Sequence, residues 1–182
     1  MKKSNQDTPI YLQSTKEQRA VKPPIEDVCE YFLKDNVLRD GMARLLEISR
    51  EQKMKPSWMQ INGYKCSYKG KGVVSYVIGG SECLNDHLIV SVSLADREDL
   101  ESVIFSLPDD IIEELQNREH THCRVCAPAS CPYGGFAYQI NGETRYLCSR
   151  FNYMCKNPTA EQFEIIARLI MIRRGYVEAK KK

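Results

Sequence analysis

Between Leu46 and Tyr64 the spacing of apolar residues changes from three-to-four to two, and helical and strand periods do not alternate regularly after that point. Ahead of the change, Ile25, Val28, Cys29, Phe32 and Leu33 recur at helical spacing. Pro24 stands where a helix can begin, and Glu26 and Asp27 suit the positive end of its dipole. Leu38, Met42, Leu45 and Leu46 form the stripe of a second helix over about residues 37–53, which Pro56 closes. Beyond it, Tyr64, Cys66 and Tyr68 alternate with Lys65 and Ser67 as a half-buried strand does. Lys69–Gly72 reads as a turn, Val73–Ile78 as a second strand closed by Gly79–Gly80, and His87–Leu94 as a third, with Leu88, Val90, Val92 and Leu94 on one face. Strands with connections this short pair as an antiparallel meander.

The remainder reads as helix, irregular segment, hairpin and helix. Asp96–Phe105 and a segment from Asp109 to about Asn117 are expected helices, the second prepared by Ser106 as cap and Pro108 in the first turn. Asn141–Gly142, the dipeptide best suited to a type I′ turn, joins Gly135–Ile140 to Glu143–Cys148. Thr159 with Gln162 makes a capping box for a last helix that buries Phe163, Ile166, Ala167, Ile170 and Met171 and ends near Gly175. Runs of strands and helices without β-α alternation define an α+β fold. The expected architecture is an antiparallel sheet, the meander plus the C-terminal hairpin, packed against helices on one side.

Residues 1–24 are polar, lack an apolar face and end in Pro23–Pro24, so they are expected to be a flexible arm, with residues 25–182 as a single domain. At 182 residues the chain can bury a core without help from disulfides or metal. Its 26 basic and 24 acidic side chains leave a net charge of +2, which argues against a nucleic-acid partner. The lysines at the termini, Lys2–Lys3 and Lys180–Lys182, read as solvated tails. No segment offers the about 20 apolar residues that a membrane span needs, and residues 1–15 carry no apolar core of a secretory signal. The expected location is the cytoplasm.

In that reducing compartment the eight cysteines point to metal or thiol chemistry before structural disulfides. Cys123 and Cys126 form a C-x2-C pair, a spacing that lets a tight turn bring two thiolates to one side of a tetrahedral zinc. Cys131 follows, then Cys148 and Cys155 after the hairpin, with His120 and His122 as reserve ligands. The hairpin offers a route for Cys148 back to the pair, and the fourth ligand is Cys131 or Cys155. The second half is C-x6-C rather than C-x2-C, so small, partly buried thiols are the competing explanation. A redox reading uses Cys123 and Cys126 as attacking and resolving thiols, with Arg124 and His122 stabilising a thiolate. Cys29, Cys66 and Cys83 fall on apolar faces or in turns and are expected to be inert. Aromatic residues on the strands, Trp58, Tyr64, Tyr68, Tyr76, Tyr138 and Tyr153 among them, suit either a small-ligand pocket or, more simply, the core. His87, beside Asp86 at a strand start, reads as a surface residue.

The Trp58–Tyr68 strand, the Lys69–Gly72 turn, the Leu88–Leu94 strand, Leu107–Pro108 and the closing Ile165–Ile166–x–x–Leu169–Ile170–x–Ile172–Arg173 resemble small uncharacterised bacterial domains of the YdhG-like kind, over about residues 37–174. The resemblance implies an antiparallel sheet covered by helices on one side and brings no activity. From the sequence, then, the chain is expected to be a module that binds a small ligand or a protein partner, with a structural zinc at the cysteine-rich segment. The alternative is a thiol-dependent enzyme or redox sensor acting through Cys123 and Cys126.

Overall fold

The computed structural model describes residues 8–80, 82–117, 136–140, 142–147 and 153–180. The fold is α+β. Helices α1 (Thr15–Val21), α2 (Ile25–Phe32) and α3 (Asn36–Glu51) lead into strands β1 (Pro56–Gln60), β2 (Gly63–Tyr68), β3 (Lys71–Ile78) and β4 (Leu88–Val92). Helices α4 (Leu100–Phe105) and α5 (Asp109–Asn117) follow, then β5 (Phe136–Ile140), β6 (Glu143–Leu147), β7 (Tyr153–Lys156) and the long α6 (Ala160–Ala179). Five strands form one antiparallel sheet in the order β1-β2-β3-β4-β7, and among the described residues β5 and β6 form a separate two-stranded sheet.

Period-2 patterning puts one face of the large sheet into the core. Tyr64, Cys66, Val74, Tyr76, Ile78, Leu88, Val90, Val92, Tyr153 and Cys155 are all buried there. α2, α3 and α6 cover this face through Phe32, Met42, Leu45, Phe163, Ile166 and Ile170. α6 lies so close to α3 that a Cβ on Gly41 would stand 2.3 Å from the Phe163 ring. The opposite face carries Lys65 and Lys156, both exposed, and half-buried Ser75, Val77, Ile89 and Met154.

The meander is as expected, with two additions. β1 is a further strand at the sheet edge, where its initial proline costs no ladder bond. β7, only four residues long, supplies the fifth place, whereas the Gly142 hairpin stays outside the large sheet. Between the paired residues Tyr68 and Lys71, Lys69 and Gly70 have φ of 46° and 81°, the pair of positive values a type I′ turn requires.

Four expectations need correction. Residues 8–24, expected in a flexible arm, instead form a 3-10 turn (Ile10–Leu12) and α1. Gln18 is fully buried, its Oε1 accepts the Asn62 N–H at 3.0 Å, and the Tyr64 hydroxyl donates to the Pro23 carbonyl at 2.7 Å. Met171 is 43% exposed, because burial moves on from Ile170 to Arg173 and Val177 along the helix, and Leu169 takes the core position. α6 passes through Gly175 without stopping. Lys180 is no solvated tail residue: its ammonium pairs with Asp99 and lies 3.1 Å from Glu98.

That lysine belongs to a charged network at the Lys71 end of β3. Arg173, 3% exposed, bonds Asp96 at 3.0 Å and the Gly72 carbonyl at 3.3 Å. Tyr68 donates to Glu178, which Lys69 also binds at 2.8 Å, and the Arg174 guanidinium stacks on the Tyr68 ring. These contacts clamp the end of α6 to the β2–β3 turn.

Candidate functional site

At the other end of the same strands, on the face opposite the helices, lies a cleft of about 590 Å³. Val77 of β3 and Ile89 of β4 line it from the sheet. The β1–β2 turn contributes Gln60 and Ile61, β7 contributes Lys156, and the loop after β3 supplies Gly79, Gly80, Glu82, Leu84 and His87. A volume in this range suits a small organic molecule.

The loop from residue 79 to 87 is built from backbone conformations that favour particular residues. Gly79 and Gly80 have φ of 73° and 62°, and Cys83 and Asp86 follow at 53° and 50°. Only glycine enters this left-handed region without steric cost. Close packing adds a second reason at Gly79, where a Cβ would lie 2.9 Å from the Phe32 ring. The loop is tied down on both sides. The Gly79 N–H donates to the His87 carbonyl at 2.7 Å, and the Leu84 N–H donates to the Gly79 carbonyl at 2.8 Å. The Asp86 N–H donates to the Phe32 carbonyl at 2.9 Å, while the Asp86 carboxylate accepts from the N–H groups of Lys34 and Asp35 at 2.6 and 2.7 Å. Across the cleft, the Asn157 carboxamide oxygen accepts from the Leu88 N–H at 2.8 Å and the Asn157 N–H returns a bond to the Leu88 carbonyl at 2.7 Å. Lys156 is thereby held at a defined place beside β4.

His87 is half-buried at the cleft. Burial holds its imidazole below the usual range, the Lys156 charge pushes it the same way, and the Glu82 charge opposes both. The ring is therefore neutral at pH 7 and offers one donor and one acceptor nitrogen. Among the described residues, the side chains of Gln60, Glu82, His87 and Lys156 make no hydrogen bond or ion pair with one another or with any other group. The charged groups at the far end of the strands, by contrast, pair with one another.

No family model, curated protein or solved structure matches the chain.

Of the cysteines proposed as metal ligands, Cys123, Cys126, Cys131 and Cys148 lie outside the described residues, as do His120 and His122. Cys155 sits on β7 opposite Val90, is 1% exposed, and its thiol donates to the Gln162 carboxamide at 3.4 Å. Among the described residues, no three His, Cys, Asp or Glu side chains come together as a metal site. Cys29 and Cys66 are core residues whose thiols burial pushes up to about 12 and about 11, so neither is a nucleophile at neutral pH. Cys83 is half-buried in the loop beside the cleft, with its sulfur 3.8 Å from the Tyr11 carbonyl. Tyr64, Tyr76 and Tyr153 fill the core rather than a pocket. No helix among the described residues is long and apolar enough to cross a membrane.

The cleft residues were not singled out by the sequence. Gly79–Gly80 reads as the end of a strand and His87 as a surface histidine, and both descriptions are locally correct. What makes them a site is the arrival of Gln60 and Lys156 from distant parts of the chain.

Proposed function

We propose that this chain is a binding module for a small molecule, and that the molecule is held in the cleft around His87. The observation that carries this reading is a cleft of about 590 Å³ lined by four polar side chains that make no hydrogen bond or ion pair with the described residues, beside an anchored glycine loop. Such a mixture of apolar floor and a few convergent polar groups is what small-molecule sites present. The cysteine-rich segment is a separate part of the proposal. Cys123 and Cys126 hold a structural zinc, completed by Cys148 and by Cys131 or Cys155; the C-x2-C spacing supports this. The charge balance supports a ligand other than nucleic acid.

A metabolite library screened against ¹⁵N-labelled protein tests the cleft. Hits are expected to shift the amides of residues 77–89 and 156, and Ile89→Trp, which fills the floor, is expected to abolish them with the fold intact. Hits that map elsewhere and survive Ile89→Trp sink the reading. Elemental analysis of protein purified without added metal tests the zinc: one equivalent, lost in Cys126→Ser, is expected, and metal-free protein with every thiol titratable ends that part of the proposal.

A further inference from the structure

The chemistry of the cleft points beyond a small molecule of unspecified type. Lys156 and Glu82 carry opposite charges, line the same cleft and act on the same imidazole with opposite sign. They are not paired with each other or with any other described residue, although the described residues include numerous ion pairs. Both charges are exposed on the lining of one cleft, so a molecule seated in it is within the field of both. Val77 and Ile89 form an apolar surface from the sheet, which suits an aliphatic body. His87, neutral because burial and Lys156 disfavour its proton, can hydrogen-bond either end of such a molecule without imposing a net charge of its own.

We propose that the cleft takes a zwitterionic small molecule with an aliphatic body, its anionic group against Lys156 and its cationic group against Glu82. This rests on the reading of the cleft as the ligand site. Lys156 and Glu82 are both exposed, so replacing either leaves the core untouched.

The test titrates full-length ¹⁵N-labelled protein at pH 7.5 and fixed ionic strength with L-leucine, 6-aminohexanoate, hexanoate, hexylamine and hexanol. At least one of the two zwitterions is expected to shift the amides of Gly79, Gly80, His87, Ile89 and Lys156 with an affinity at least tenfold above those of hexanoate and hexylamine. Lys156→Gln is expected to bring that zwitterion down to the affinity of hexylamine, and Glu82→Gln down to that of hexanoate, with unchanged melting temperatures. Hexanoate, hexylamine or hexanol binding in the cleft as tightly as both zwitterions would overturn the proposal and leave the cleft standing as a ligand site. No shift with any of the five probes also overturns it, and the wider library with Ile89→Trp then decides the cleft separately.

Discussion

Two helical glycines respond in opposite ways to the gain of a methyl group. Gly175 lies on the exposed side of α6, and a Cβ there would meet nothing within 4 Å. Gly175→Ala therefore raises helix propensity alone, by about 0.8–1 kcal/mol. Gly41 on α3 would gain the same propensity, but its Cβ would stand 2.3 Å from the Phe163 ring. A ring held inside a packed core cannot swing away, and overpacking of this kind costs about 1–3 kcal/mol. Urea denaturation of the two variants is expected to show midpoints on opposite sides of the parent, with similar slopes. A stabilised Gly41→Ala would show that α3 and α6 are not in such close contact.

At the scale of elements, α1 shows how a polar stretch becomes structure. Ser14 begins a Ser-x-x-Glu sequence, and the Glu17 carboxylate accepts from both the N–H and the hydroxyl of Ser14, at 2.9 and 2.8 Å. Those bonds hold the carboxyl below its ordinary range. This start signal is local, whereas the stretch behind it has no apolar stripe to mark it as a helix. α1 docks instead through a polar residue. Buried Gln18 accepts from the Asn62 N–H and donates to the Tyr11 carbonyl at 3.0 Å. Removing it strands a buried N–H, which costs about 1–3 kcal/mol. Gln18→Ala is expected to lose that much in chemical denaturation, whereas Arg19→Ala on the exposed side stays within about 0.5 kcal/mol. Equal stability of the two variants would mean that α1 is not docked. The same contrast between local signal and remote packing explains β7. Tyr153 and Cys155 alternate with Met154 and Lys156, yet four residues are too few for periodicity to identify. Only the pairing with β4 makes them a strand. The capping box of α6 was readable because every part of it is local: the Gln162 N–H donates to the Thr159 hydroxyl and the Thr159 N–H to the Gln162 carboxamide.

At the scale of the whole molecule, the strands of the sheet have two chemically different ends. One end is closed by ion pairs, and the other holds the cleft. The closed end makes stability depend on acid. Hydrogen bonds from Lys69 and then Tyr68 lower the Glu178 carboxyl from 4.5 to about 2. Asp99 is lowered by Lys180 and Tyr176, and Asp110 by Arg168. Burial alone pushes Asp96 upward, but the bonds and charges of Arg173 and Lys71 outweigh it, so that carboxyl too is lowered. Each of these groups binds its proton more weakly in the folded state than in the unfolded chain. Their contribution is therefore complete above the ordinary carboxylate values and disappears as pH falls through the folded ones. His87 too binds its proton more weakly in the folded state, so urea midpoints measured from pH 7 downward are expected to decline slightly below about 6.5 and to fall further between about 4.5 and about 2. Glu178→Gln is expected to reduce the slope in that window. A parent midpoint that does not change down to pH 2 would show that the network adds nothing.

The sequence by itself determined what is encoded by neighbours along the chain. It set α2, α3 and α6 through their apolar stripes, the meander through period 2, the α+β class through the order of those periods, and the turns through Gly70 and Gly142 with positive φ. Tertiary structure decided everything that depends on residues far apart. It docked α1 through Gln18, gave the fifth place in the sheet to β7, and carried α6 past Gly175 because its contacts with α3 and the β2–β3 turn outweigh one weak helix former. It also made the cleft, where Gln60, Glu82, His87 and Lys156 meet. The physical reason is range: backbone preferences and periodicity act over a few residues, whereas a site is a coincidence in space of side chains whose separation along the chain carries no local signal.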